Sequence, residues 1–297
     1  MKGDLITERI TVNGYRGSGG AVTVPEGMRY IHAEAFRGQE AITSVHLPDT
    51  ITAIGESAFR RCTSLTDVNI PAGVALLPKD CFRSCRALTH VTLSDGLREI
   101  RDTAFYGCHA LETLTIPATV EMIGEFAFAR CLSLRTLTFS APVQEIRSGA
   151  FSDSDPRLTI ALGGVAVPFR CLQEDMRVER NVCRALRVLS GKFTQSLYEV
   201  TTLTFAVCLM EMDRQAPTDA GAQRALLYYG GVIARMFIRH GETAYLCALL
   251  PSRDRVPDKV LPALAEEASQ CGEKEAYIHI VDEMRRRGLL EDTARRL

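Results

Sequence analysis

The chain has no tryptophan, and Phe and Tyr together make up only 7% of its 297 residues. A sugar-stacking face built on indole rings is therefore excluded. Charge of one sign is also missing. The formal net charge is −1, which gives no general drive toward nucleic acid or an anionic membrane. Long apolar runs are absent; the longest, such as Phe205 to Met210, is far too short to span a bilayer. The opening Met1-Lys2-Gly3-Asp4-Leu5-Ile6-Thr7-Glu8 carries early acids and no apolar core, unlike a secretory signal. The resulting expectation is a cytoplasmic protein with reduced thiols, the alternative being a cell-surface location or secretion by a non-classical route, or a removed leader.

Catalytic patterns are missing too. Gly17-Ser18-Gly19-Gly20 precedes a strand pattern and lacks the lysine of a nucleotide site, so it reads as a turn. The six histidines are scattered, and none pairs with an activated cysteine. Cys81 and Cys85 are four apart, without a second pair at ligand spacing. The expectation is no enzyme, no cofactor and no metal, an enzyme with its site in the C-terminal half or at the junction being the alternative.

What is present is a period. Phe36, Phe59, Phe82, Phe105, Phe128 and Phe151 follow one another at 23-residue intervals. Ala or Cys precedes each, and Cys62, Cys85, Cys108 and Cys131 stand three residues after four of them. Further apolar columns keep the register, among them Val45, Val68, Val91, Leu114 and Leu137, then Leu47, Ile70, Leu93, Ile116 and Phe139. Those two columns are two residues apart, so they share one face of a strand. Pro48, Pro71 and Pro117 end three of these strands, having no N–H to donate. Such a period predicts stacked coils that bury their apolar faces only against each other. The cysteine column reads as small buried thiols filling a corner, although stacked neighbours would lie within disulfide range.

Units such as Leu65 to Cys85 and Leu111 to Cys131 read L-x-x-V-x-I-P-x-x-V-x-x-I-x-x-x-A-F-x-x-C, with Leu standing in some Val and Ile columns. They resemble the BspA-like, or Treponema pallidum-type, leucine-rich repeat. The resemblance implies a right-handed, β-rich solenoid and a binding role: a protein-interaction scaffold, or alternatively an adhesin for host protein or glycan. It implies no catalytic residue. The expected organisation is a cap over 1–20, a leucine-rich-repeat solenoid over 21–163 and an all-α domain over 164–297.

In that last part the period becomes helical. Helices are predicted over about 177–189, 193–213, 220–239 (capped by Asp219, closed by His240-Gly241), 242–250, from Pro257, and 274–287. Val260 to Leu290 resembles degenerate ankyrin-like helical pairs, a generic bundle being the other reading.

Two candidate surfaces follow. The outward strand face presents Ser44, His46, Asp67, Asn69, His90, Thr92, Thr113, Thr115, Thr136 and Thr138. It is a hydroxyl-rich surface for a protein, with glycan possible, or simply threonine's preference for exposed strands. A second row, Arg37, Arg60, Arg61, Arg83 and Arg130, makes a positive edge for an anionic partner, unless Glu56, Asp102 and Glu125 neutralise it.

Overall fold

The computed structural model describes residues 5–169, 178–190, 203–217 and 219–290. The chain divides into two compact units, Met1–Ser190 and Gly191–Leu297.

The first unit is a β-solenoid. Each coil contributes one strand to a front ladder and a two-residue strand to a return ladder. In front, β3 (Gly20–Thr23), β5 (Ile42–His46), β7 (Asp67–Ile70) and β9 (His90–Leu93) form one parallel sheet. β11 (Thr113–Ile116), β13 (Thr136–Phe139) and β15 (Thr159–Leu162) form another, closed by an antiparallel β16 (Val165–Pro168). β13 and β15 pair at the full 23-residue register, Thr136 opposite Thr159, despite the irregular Asp153–Pro156 stretch before β15. On the return side β4 (Tyr30–Ile31) and β6 (Ala53–Ile54) are joined to a hairpin of β1 (Leu5–Glu8) and β2 (Thr11–Tyr15). β8 (Leu76–Leu77), β10 (Glu99–Ile100), β12 (Met122–Ile123) and β14 (Glu145–Ile146) form the remaining ladder.

The two return ladders are interrupted between β6 and β8 for a chemical reason. Gly55, Arg101, Gly124 and Arg147 each donate a backbone N–H to the preceding coil. Pro78 holds their place in that coil and has no N–H.

The phenylalanine column forms the core. Phe36, Phe59, Phe82, Phe105 and Phe128 are fully buried, and Phe151 nearly so. Ring centroids of successive members lie 5.1 to 6.1 Å apart, with interplanar angles of 5 to 16°, an offset-stacked arrangement for aromatic pairs. Two rings outside the register extend the column: Tyr15 lies 6.0 Å from Phe36, and Phe169 meets Phe151 edge-on at 5.4 Å.

The corner around each Phe needs an unusual backbone. Two residues before it, Glu34, Ser57, Asp80, Thr103, Phe126 and Gly149 all have positive φ. Two residues after it, so do Gly38, Arg61, Ser84, Gly107, Arg130 and Asp153. Left-handed geometry costs an L-residue about 1–2 kcal/mol. Here it turns alternate N–H groups toward the following coil. Ser57, Phe59 and Arg61 donate to the carbonyls of Lys79, Cys81 and Arg83, and the pattern repeats along the stack.

β16 and α1 (Val178–Leu189) belong to the first unit, and α1 packs against β14 and β15. The division therefore falls at 190/191, not at the 163/164 expected from the sequence. Gly163 and Gly164 turn the chain within a β-hairpin instead of leaving the unit.

The second unit contains α2 (Leu203–Gln215), α3 (Ala220–Arg239), α4 (Thr243–Leu249), a 3-10 turn at Asp258–Val260, α5 (Leu261–Cys271) and α6 (Lys274–Arg286). Arg177, Gly191 and the expected helical stretch 193–202 lie outside the described residues. Asp219 caps α3 as predicted, accepting the Ala222 N–H at 2.8 Å. Gly272 ends α5 in the left-handed conformation. Gly230 is buried where α3 meets the Ser252–Val256 segment: an added Cβ would lie 1.9 Å from the Arg255 carbonyl oxygen.

Arg–carboxylate pairs join these helices. Arg255 grips Asp213 with two bonds of 2.8 Å. Glu267 holds Arg235 at 2.9 Å and Arg239 at 2.7 Å. Arg287 stands at the C-terminal end of α6, where a cation also faces the negative end of the helix. Its side chain is 3% exposed; it bonds Glu283 at 2.7 Å, Asp258 at 2.9 Å and the Val256 carbonyl at 2.8 Å, and also reaches the Leu250 carbonyl.

Candidate interaction surfaces

The cysteine column is a set of donors. The thiols of Cys62, Cys85, Cys108 and Cys131 donate to the carbonyls of Phe36, Phe59, Phe82 and Phe105, at 3.0 to 3.2 Å. Ser154 continues the column with a hydroxyl bond to the Phe128 carbonyl at 3.2 Å. All four thiols are free and buried. Burial pushes Cys62 and Cys131 up to about 12, and Cys85 and Cys108 well above the usual value. They are neutral and unreactive at physiological pH. Among the described residues no three His, Cys, Asp or Glu side chains gather as a metal site.

On the outward strand face, His46, Asp67, His90, Thr92, Thr113 and Thr115 are exposed, and Ser44, Asn69, Thr136 and Thr138 are half-buried. Neighbouring coils align Asp67 with His90 and Asn69 with Thr92. Thr113 aligns with Thr136, and Thr115 with Thr138. Asn69 is committed internally: its amide bonds both the N–H and the carbonyl of Leu47, at 3.0 and 2.8 Å. It extends the β5–β7 link beyond the ladder pairs Ser44–Asp67 and Val45–Val68.

Threonines on this side of the coil divide into two groups. Thr66 and Thr89, one position before the outward pair, and Thr159, at the outward position opposite Thr136, donate their hydroxyls to the carbonyls of Thr43, Thr66 and Arg135. The hydroxyls of Thr92, Thr113, Thr115 and Thr138 make no hydrogen bond among the described residues.

The face is interrupted once, since no ladder joins β9 to β11. Glu112 stands there in the place of Thr66 and Thr89, so the reinforcing hydroxyl is missing where the backbone pairing is missing. Val91 and Leu93 beside the interruption are half-buried, whereas Val68, Ile70, Leu114 and Ile116 are buried.

The five arginines of the second row are not brought together as one edge. Arg37 pairs with Glu34. Arg60 and Arg83 share the buried Asp80, at 2.9 and 3.2 Å; Asp80 also accepts the Thr103 hydroxyl at 2.6 Å. Arg61 and Arg130 lie in the left-handed column, one residue further along the coil than Arg37, Arg60 and Arg83, and are three coils apart from each other. The neutralising partner is thus Asp80, not the Glu56, Asp102 and Glu125 that the spacing suggested. Asp102 accepts the Glu125 N–H, at 2.9 Å, and Glu56 helps to line a concavity on the return side. Arg98–Glu121, Arg101–Glu99 and Arg147–Glu145 pairs balance the charge there.

Among the described residues no helix is long and apolar enough to cross a membrane. Residues 21–158 match the BspA type leucine rich repeat region, in six copies. Similar solved structures include a leucine-rich repeat protein of Bacteroides ovatus, at 26% identity over 52% of this chain and 50% of that one, with a TM-score of 0.44. Another is the Treponema pallidum leucine-rich repeat protein, at 31% identity over 50% of this chain and 62% of that one, with a TM-score of 0.36. A third is a leucine-rich cell surface protein of Faecalibacterium prausnitzii, at 25% identity over 53% of each chain, with a TM-score of 0.29. The chain thus spans about half the length of the first of these and under two thirds of the second. No curated protein matches it.

Proposed function

We propose that residues 21–158, a BspA-type leucine-rich repeat region, act as a non-catalytic scaffold that docks a partner protein on the outward strand face. Repeats of this type generally serve protein interaction or surface adhesion, and are generally non-catalytic. The observation that carries the reading is the division of the threonines. Thr66 and Thr89, one position earlier, are used up in holding coil to coil, as is Thr159 at the last coil, whereas Thr92, Thr113, Thr115 and Thr138 keep their hydroxyls free along the outward face. Hydrated in the free protein, these hydroxyls can donate to or accept from a docking partner. No aromatic residue lies among the outward positions, which favours protein over glycan.

The test is affinity capture with the wild type beside a Thr92→Glu, Thr115→Glu, Thr138→Glu variant. Captured partners should be lost from the variant while its circular dichroism is unchanged. Retention of every partner would refute the assignment. Labelling of the protein on intact cells would make the same surface that of an adhesin.

A further inference from the structure

A depression of about 280 Å³ lies on another side of the first unit, lined by Arg60, Arg61, Arg83 and Arg86 together with Thr63 and Ser84; Glu40 is its one acidic wall residue. Four guanidinium groups in so small a space repel one another unless charge is supplied. Asp80 answers part of this from beneath, bonded to Arg60 and Arg83. Its third bond, from Thr103, falls on the oxygen that already holds Arg83. Arg61 and Arg86 have no ion-pair partner among the described residues, and both are exposed. Arg83 is held in place by the Tyr106 ring, 4.8 Å from its guanidinium carbon. The Nε–H of Arg60 is buried without an acceptor, an omission that folded proteins rarely leave uncorrected. One coil further on, burial and then the charges of Arg86 and Arg130 lower the pKa of His109, so the positive field extends past the depression.

We propose that this depression binds a phosphate monoester dianion, with Arg61 and Arg86 as its primary ligands and the Asp80-anchored Arg60 and Arg83 as its base. Guanidinium groups match phosphate oxygens in geometry, and charge-assisted bonds to phosphate are about twice as strong as neutral ones. The site is separate from the strand face and stands whether or not that face docks a protein.

The probes are methyl phosphate and methyl sulfate, alike in shape but differing by one charge at a pH well above the phosphate's second pKa of about 6. Calorimetric titration of the intact protein should show saturable, millimolar binding of methyl phosphate, with methyl sulfate weaker by about tenfold or more. The exposed pair Arg61→Ala, Arg86→Ala should lose about tenfold or more of the methyl phosphate affinity without a change in melting temperature. Arg98→Ala, on the return side, should leave the affinity unchanged. Absence of saturation, equal binding by the double variant, equal binding of the two esters, or an equal loss in Arg98→Ala would each overturn the proposal.

Discussion

Phe82 sits in a column where each neighbouring ring is another copy of itself; Arg287 sits where no contact is repeated. Both are buried, and both hold their surroundings together. The first unit reaches order by reusing a few links at 23-residue intervals, so that a defect in one coil has equivalents on either side. In the second unit each Arg–carboxylate pair joins a different set of segments. Repetition spreads the dependence; a unique network concentrates it.

The sharpest test is to break one of each. Phe82→Ala should cost about 3–5 kcal/mol and lower amide protection through the flanking coils at Phe59 and Phe105. Arg287→Ala leaves the buried Glu283 with Arg286 alone and should also cost about 3–5 kcal/mol, lowering protection from Leu250 to Met284. Denaturant melts with hydrogen exchange read both; a Phe82→Ala effect confined to its own coil would undo the idea of shared dependence.

The next effect is pH-dependent. The folded pKa of Cys62 and of Cys131 is raised from 9.0 to about 12. The stability that their neutral thiols contribute is therefore complete below about pH 9 and is lost as pH rises through about 12. Alkaline titration should melt the solenoid across that window, and Cys62→Ser with Cys131→Ser should remove part of the loss. A thiol reagent at neutral pH should modify exposed Cys271 first. Rapid labelling of Cys85 or Cys108 in the native protein would contradict the buried column.

The smallest expected effect is a gain. Glu112→Thr places a hydroxyl opposite the Thr89 carbonyl and should add about 0.5–1.5 kcal/mol, seen as a higher melting temperature. No gain would mean that the gap between β9 and β11 has another cause.

The phenylalanine register announces the solenoid because identical side chains must stack at a fixed interval. Its two terminal rings escape that reading, since Tyr15 and Phe169 stand off the register and owe their place to folding back, not to repetition. The left-handed corners are equally hidden: only Gly38, Gly107 and Gly149 advertise them, while Arg, Ser, Asp, Glu, Thr and Phe occupy the rest. Pro78 was legible in principle, being aligned with Gly55 and Arg101. Ser154, three residues after Phe151, could have revealed that the cysteine column is there to donate. Asn69 looked like one more outward polar residue; only its contact with Leu47 shows it to be a link between coils. Nothing local distinguishes Arg287 from Arg285 and Arg286, because its burial depends on segments some thirty residues away.

The antiparallel strands at the two ends bear on self-association. A parallel ladder offers evenly spaced bonding groups, and an antiparallel one alternately narrow and wide pairs. At one end of the stack β1 runs against β2; at the other, β16 runs against β15. A second copy approaching head-to-tail would meet a reversed strand in one sheet at either end, so the parallel register could not run on from copy to copy in that sheet.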